Sequence, residues 1–135
     1  MRATRVALAR QVASKGLRIV TADGEKGQTC VVLLDRKQDE LAKRCTYGHV
    51  WTASAVVNAE ASALALAVQP ADAWRELWLF HKTKKGWSVR VLPPAAIEPG
   101  VGYAEFAGWA PGKVRVTREA LIAGKVTRRT QLVRI

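Results

Sequence analysis

The chain has 135 residues, of which 49% are hydrophobic, and it has 22 lysines and arginines against 11 aspartates and glutamates. This length supports one domain with its own core, and the apolar content excludes a disordered chain. The formal net charge of +11 favours anionic partners such as nucleic acid, anionic lipid or polysaccharide. The longest weakly polar stretch, residues 53–68, contains Asn58 and Glu60, so no membrane-spanning helix is predicted.

Residues 1–15 are predicted to form a basic N-terminal arm, either poorly ordered or a short helix. Arg2, Arg5 and Arg10 interrupt this segment, so it lacks the apolar centre of a secretory signal. If Met1 is the true start, the cytoplasm is the expected location. If the chain is cut from a longer precursor, that inference no longer holds, and a periplasmic location becomes the expectation.

A first hairpin is predicted after a strand that begins at Gly16. Residues 29–35 form a short apolar run rich in β-branched side chains, which predicts a buried strand, and residues 40–47 are expected to return beside it. A loop centred on residues 37–38 would place Leu34 opposite Leu41 in this pair.

The same register places Cys30 directly opposite Cys45. Opposing Cα atoms in an antiparallel pair come close enough for a disulfide, so a bridge between these cysteines is one prediction. The alternative is a pair of free thiols in a reducing compartment. The two histidines, His49 and His81, lie far from both cysteines in sequence, so no metal site is predicted.

The middle of the chain gives conflicting signals. Residues 50–69 are rich in alanine, which favours helix, but residues 63–68 alternate small and large side chains strictly, which favours a strand. Residues 58–62 supply a turn, and the segment repeats the outline of residues 106–120. Two strands joined by that turn are therefore predicted.

Residues 74–92 give the clearest hairpin by composition. Trp74, Trp78 and Phe80 share one face of the first strand, and a polar turn ending in glycine occupies residues 82–86. The alternative is a helix over residues 72–82, with its first residue as the cap.

The last third of the chain predicts three strands. An aromatic strand from residue 103 ends at Pro111 and Gly112, which form a tight turn, and residues 113–117 alternate basic and apolar side chains. Ala123 and Gly124 mark the next turn, and residues 125–135 form the final strand.

This region resembles the hairpin of WD-repeat-like propeller blades of the TolB type, in which an aromatic-serine-proline-aspartate-glycine-lysine turn joins two strands. The residues that match are Phe106, Trp109, Pro111, Gly112 and Lys113. The serine and the aspartate of that turn are absent here.

The resemblance implies an all-β fold of antiparallel sheets in propeller-blade-like meanders, which one chain of this length does not close into a complete propeller. It implies a single β domain over residues 16–135, with units at residues 16–49, 50–94 and 103–135. Because a closed propeller needs at least four blades, the open faces predict a homodimer or larger assembly. The tryptophans at blade positions are expected to be core residues.

The sequence contains no catalytic motif. It has no glycine-rich phosphate loop and no Gly-x-Ser-x-Gly elbow, and its acidic residues are scattered. A non-enzymatic binding or scaffold module that acts through protein–protein contacts is therefore predicted, without a cofactor. The alternative is a small basic protein that binds nucleic acid or another polyanion through Arg115, Arg118, Arg128 and Arg129.

Overall fold

The computed structural model describes residues 12–96 and 100–135, and these ranges contain eleven β-strands and no helix. The strands are β1 Val12–Ser14, β2 Leu17–Asp23, β3 Thr29–Leu34, β4 Glu40–Thr46, β5 His49–Val57, β6 Ala63–Ala71, β7 Trp74–Thr83, β8 Gly86–Leu92, β9 Gly102–Ala110, β10 Lys113–Ile122 and β11 Lys125–Arg134. The predicted all-β class is confirmed. The predicted hairpin over residues 74–92 is confirmed as β7 and β8, and its alternative, a helix over residues 72–82, is not formed.

The strands form two sheets. Strands β1 to β4 make a four-stranded antiparallel meander, and the seven-stranded second sheet has the order β11-β10-β9-β7-β6-β5, with β8 also paired to β7. Strand β7 pairs with β8 over most of its length, but at Trp74 and Arg75 it pairs with β9 in parallel. This short parallel contact, which the sequence did not predict, lets β9 diverge from β7, and the second sheet curls into a half-barrel.

The alternation of small and large side chains in β6 fits two cores of different thickness. Leu64 and Leu66 are buried in the first core, against β2 and β3 of the first sheet. Ala63 and Ala65, on the opposite face, are buried in the second core, where β9 and β10 fold back over β6 and β7. Small side chains are needed there because the curled strands come close to β6. Both faces of β6 are therefore covered.

The turn between β5 and β6 is organised by Asn58, whose side chain is buried. Its Oδ1 accepts hydrogen bonds from the backbone N–H groups of Ser62 and Ala63, at 2.8 and 3.0 Å. An asparagine that caps a turn in this way satisfies backbone donors which the loop leaves unpaired. The predicted turn over residues 58–62 is confirmed.

Strands β3 and β4 pair with Cys30 opposite Cys45, in the register that the sequence predicted, and a disulfide joins the two residues. The predicted pairing of Leu34 with Leu41 is wrong, because a bulge follows Leu33 and Leu34 pairs with Glu40. The cause lies in the turn. Both Lys37 and Asp39 donate backbone hydrogen bonds to the Asp35 carboxylate, which fixes a loop over residues 35–39 that is one residue shorter than pairing of Leu34 with Leu41 would leave.

The end of the predicted N-terminal arm belongs to the first sheet. Val12–Ser14 forms β1 and pairs with β2, so the arm prediction is wrong for these residues, while residues 1–11 lie outside the described residues. Lys15 and Gly16 form the turn, both with positive φ. The sequence did not predict this hairpin because its turn contains a lysine. Positive φ is rare for lysine, and such turns usually contain Asn or Gly.

We expect Ala65→Leu to lower the free energy of unfolding by about 1–3 kcal/mol, because the second core has no room for the larger side chain. Ala67→Leu is the matched control on the same face of β6. Ala67 borders a cavity of about 280 Å³, so leucine fits there with little cost. Urea unfolding followed by tryptophan fluorescence measures both. Equal stability of the two variants would contradict the two-core arrangement.

Reduction of the disulfide is expected to lower the free energy of unfolding of the wild-type chain by about 3 kcal/mol. The bridge closes a segment with a sequence separation of 15, and a loop of that length restricts the unfolded chain by about this amount. The measurement is urea unfolding with and without reductant. The control is the double variant C30A/C45A, which should not respond to reductant; a wild-type chain that is equally unresponsive would show that the bridge is absent.

Candidate functional site

The β10–β11 hairpin combines seven lysines and arginines with a single acidic residue, Glu119. Ala123 and Gly124 form its two-residue turn, both with positive φ, as a type I′ hairpin requires. Ten residue pairs follow without a register shift, from Ile122 opposite Lys125 to Lys113 opposite Arg134. The regular pairing determines which face of the hairpin each arginine occupies.

The four arginines that the sequence grouped as a polyanion site lie on two different faces. Arg118 is directly opposite Arg129, and alternation along β10 places both on the face of Val116, which is buried in the second core. Arg115 and Arg128 lie on the other face of the hairpin. Strand alternation therefore places two of the four arginines on each face of the hairpin.

Arg128 has an acidic neighbour on its own face. It is opposite Glu119 in the ladder, and its Nε lies 3.8 Å from a carboxylate oxygen of that residue. The arginine is well exposed, so solvent screens this ion pair and its contribution to stability is small.

Arg118 is half-buried and has no acidic partner among the described residues. Its Nη1 donates a hydrogen bond to Oε1 of Gln131 at 3.0 Å, while its Nε is buried without a hydrogen-bond partner in the described part of the chain. Burial lowers the pKa of Arg118, and the nearby charges of Arg129 and Arg90 lower it further. The guanidinium groups of Arg129 and Arg90 are therefore both close enough to act on that of Arg118.

Arg90 joins this cluster from β8. Its Nη1 donates a 2.9 Å hydrogen bond to the backbone carbonyl oxygen of Arg134, which brings β8 next to the end of β11. Arg90 was not among the candidate residues that the sequence suggested. The hairpin predicted over residues 74–92 did contain a signal for this residue, because the β7–β8 pairing places Arg90 opposite Leu79, which is buried in the second core.

A cavity of about 380 Å³ lies beside Arg118, between the end of β8 and the β10–β11 hairpin. It is lined by Pro94, Ala95, Ala96, Arg118, Ile122, Thr127, Arg128 and Arg129. One wall is apolar and the other is basic, so the cavity has the chemistry of an anion site with a partly desolvated interior.

A second cleft, of about 260 Å³, lies at the other side of the hairpin tip. Val101, Leu121 and Val126 border it and are well exposed, with 52%, 43% and 67% of their surface open to solvent. Leu121 and Val126 are direct cross-strand partners. Large apolar side chains exposed side by side are typical of contact surfaces.

The remaining candidate residues have structural surroundings. Cys30 is buried and bonded to Cys45, so neither is a free nucleophile. Trp74 and Trp78 are core residues, as predicted, whereas Trp51 is 43% exposed on β5. Within residues 12–96 and 100–135, no group of three His, Cys, Asp or Glu side chains could hold a metal ion. The same ranges contain no helix with the length and apolarity that a membrane crossing requires.

Comparison with known proteins adds no family assignment to this geometry. No protein-family model, no curated protein and no solved structure matches the chain.

His81 predicts a pH dependence of stability. Burial lowers its pKa below 6.5, and the charge of Arg90 lowers it further. The unfolded chain therefore binds more protons than the folded chain as the pH falls through about 6.5, so the free energy of unfolding decreases on acidification. We expect His81→Gln to remove this part of the decrease, and His49→Gln, which replaces an exposed histidine, to retain it. Unfolding measured from pH 8 down to about pH 5 compares them; identical profiles for H81Q and wild type would contradict the assignment.

Proposed function

We propose that the chain is a non-enzymatic binding module that acts through protein–protein contact, and that its binding surface is the free edge of β11. The observation that supports this most directly is the position of β11. It is the end strand of the second sheet, and among the described residues it pairs with β10 alone. An end strand of ten residues is a template on which an extended segment of another protein can add as a further strand.

The ladder shows which backbone groups are free for such a strand. In a two-residue hairpin the residues flanking the turn exchange hydrogen bonds, so Lys125 and every second residue after it bond to β10. The N–H and C=O groups of the intervening residues point away from β10. The Arg134 carbonyl does so and accepts the hydrogen bond from Arg90. The outward groups that remain free for a partner strand are those of Val126, Arg128, Thr130 and Leu132.

The charge of β11 selects the chemistry of the partner. Its sequence contains Lys125, Arg128, Arg129 and Arg134 and no acidic residue, and Leu132 is 49% exposed. An extended segment with carboxylates and a few apolar side chains is complementary to this edge, because opposite charges on neighbouring strands stabilise the pairing. The proposed partner is therefore an acidic segment of another protein.

The number of strands in each meander also supports the β11 edge as the binding surface. Two successive antiparallel meanders have four strands each, β1–β4 and β5–β8, while the third, β9–β11, has three. Propeller-blade-like units, which remain a prediction, would give this pattern if the outer strand of the last unit were missing. A partner strand beside β11 would make the third unit equal to the others.

The homodimer predicted from the sequence is the other possible occupant of this edge. Pairing of β11 with its copy would bring two strands with four cations each side by side. Like charges at this separation repel, and the repulsion weakens as salt screens it. An acidic partner avoids this cost.

The Leu132→Pro variant tests strand addition. Proline removes an outward N–H that β10 does not use, so the fold should tolerate it at an edge strand. We expect an acidic ten-residue peptide of alternating glutamate and valine to bind the wild type. We expect L132P to bind this peptide about tenfold or more weakly, because the proline removes one backbone hydrogen bond to the peptide and blocks the pairing of the neighbouring residue. Leu132→Ala keeps the N–H and should bind within about twofold of wild type. Fluorescence anisotropy of the labelled peptide provides the measurement.

Two results would overturn this proposal. One is equal affinity of L132P and wild type for the peptide. The other is a DNA oligonucleotide that binds both proteins more tightly than the peptide does, since that would indicate polyanion binding in place of strand addition.

Salt dependence separates the two occupants of the β11 edge. Light scattering of the chain alone, together with peptide binding, is measured at low and high salt. We expect a monomer at low salt and peptide binding that weakens as salt rises. A dimer that strengthens with salt and that L132P dissociates would replace the acidic partner by a second copy of the chain.

A further inference from the structure

We propose that the cavity between Pro94–Ala96 and the β10–β11 hairpin is a binding site for one phosphate group, either free phosphate or the phosphate of a small organic molecule. This inference goes beyond strand addition at β11 and does not depend on it. The residues that would bind the phosphate are Arg118 and Arg129, with Arg90 contributing charge from β8.

The first argument is the cost of this arginine cluster. Arg118 and Arg129 are direct cross-strand partners on one face, and like charges in that position are destabilising. The ion pairs among the described residues, Arg75 with Glu105 and Arg128 with Glu119, leave both of these arginines without a carboxylate. A bound anion would offset a repulsion that the described side chains leave in place.

The second argument is the hydrogen bonding of Arg118. Gln131 holds the guanidinium in place through Nη1, while the buried Nε has no partner among the described residues. Nε and Nη2 donate from the same side of a guanidinium, in the fork that fits two oxygens of one oxyanion. The side chain is half-buried, and this burial lowers the pKa of the group. Because Arg118 lines the cavity, a rotation of its guanidinium would let an oxyanion there supply the missing acceptor.

The third argument concerns the size of the ligand. The cavity of about 380 Å³ lies at the small end of the range for small-molecule sites. Arg115 lies on the opposite face of the hairpin, so a polyanion following the surface could not contact it and Arg118 together. One phosphate group, with a small substituent against Pro94, Ala95 and Ala96, fits these dimensions and the apolar wall.

A phosphate fits the charge better than a carboxylate. A phosphate group at neutral pH has about 1.5 to 2 negative charges and several acceptor oxygens arranged around one centre. Guanidinium groups that approach from two strands can then each bond to different oxygens. A carboxylate presents two oxygens in one plane and a single charge, and is expected to bind more weakly.

The test is binding to the full chain at constant ionic strength, with inorganic phosphate, phenyl phosphate and acetate as probes. Thermal stability and titration calorimetry are measured for wild type, R118Q, R129Q and the matched control R115Q, which removes the same charge from the other face. We expect phosphate to bind and stabilise wild type, R118Q and R129Q to lose about tenfold or more in affinity, and R115Q to stay within about twofold.

Stability without phosphate gives a second readout. Because removal of Arg118 relieves repulsion, R118Q should be at least as stable as wild type in phosphate-free buffer, whereas a residue with a purely structural role would destabilise the chain when replaced. Preference for phenyl phosphate over inorganic phosphate would identify a phosphorylated organic ligand. Equal affinity would identify a free-ion site.

Four outcomes would overturn the proposal. Two concern the probes: no binding of either phosphate probe by wild type, or acetate binding as tightly as phosphate. Two concern the variants: equal losses of phosphate affinity in R115Q and R118Q, or phosphate binding that appears only when Glu98 is replaced. Glu98 lies outside the described residues and follows Ala96 by two positions in the sequence, so an E98Q variant is measured in parallel. If R118Q does not fold, R129Q decides, since Arg129 is exposed and its loss cannot disturb the core.

Discussion

The burial of β6 and β7 on both faces is the constraint on which the rest of this structure depends. Leu66 and Phe80 belong to the core shared with the first sheet, while Ala65 and Leu79 belong to the core under the curled strands. Two central strands with apolar side chains in both directions need a cover on each side. The first sheet covers one face, and the β9–β10 segment covers the other.

The second cover requires a change of partner along β7. Its first residues pair with β9 and its remaining length pairs with β8, so β9 has to leave the plane of β7 and pass over it. Gly102, which pairs with Trp74 of β7, also allows β10 to come close to β9, because a Cβ there would lie 2.6 Å from the Glu119 carbonyl oxygen of β10. The hairpin β10–β11 follows β9 into this position. Two structural features result: an end strand, β11, and a cavity between β8 and the hairpin.

The two proposed sites divide the basic charge between them. The β11 edge displays cations to solvent, where they attract an acidic segment over several ångströms and are screened by salt. The cavity holds Arg118 away from water beside Arg129, where an unpaired charge is costly and a specific anion is favoured. Both proposed sites use the positive charge of the chain. An exposed cation would attract any acidic surface, whereas a partly buried cation would favour one specific anion.

Local pattern determined much of the architecture. Period-two alternation and the turns at residues 58–62, 111–112 and 123–124 predicted the strands from β5 to β11, and the hairpin register predicted Cys30 opposite Cys45. These features depend on neighbours in the sequence, and φ preferences and pleat geometry act over that distance. The pattern was less reliable where a side chain reshapes a turn, as Asp35 does before β4.

Tertiary structure alone decided how the strands meet and which side chains share a site. The sequence presented Arg115, Arg118, Arg128 and Arg129 as one group, yet strand alternation and the curl of the sheet separate them and bring Arg90 to Arg118. The parallel contact of β7 with β9 joins residues 74 and 102, and no local preference encodes such a pairing. The sequence by itself thus determined the strands, their turns and the basic charge. The position of each charge relative to the cavity was set by non-local packing, because the core must bury both faces of β6 and β7.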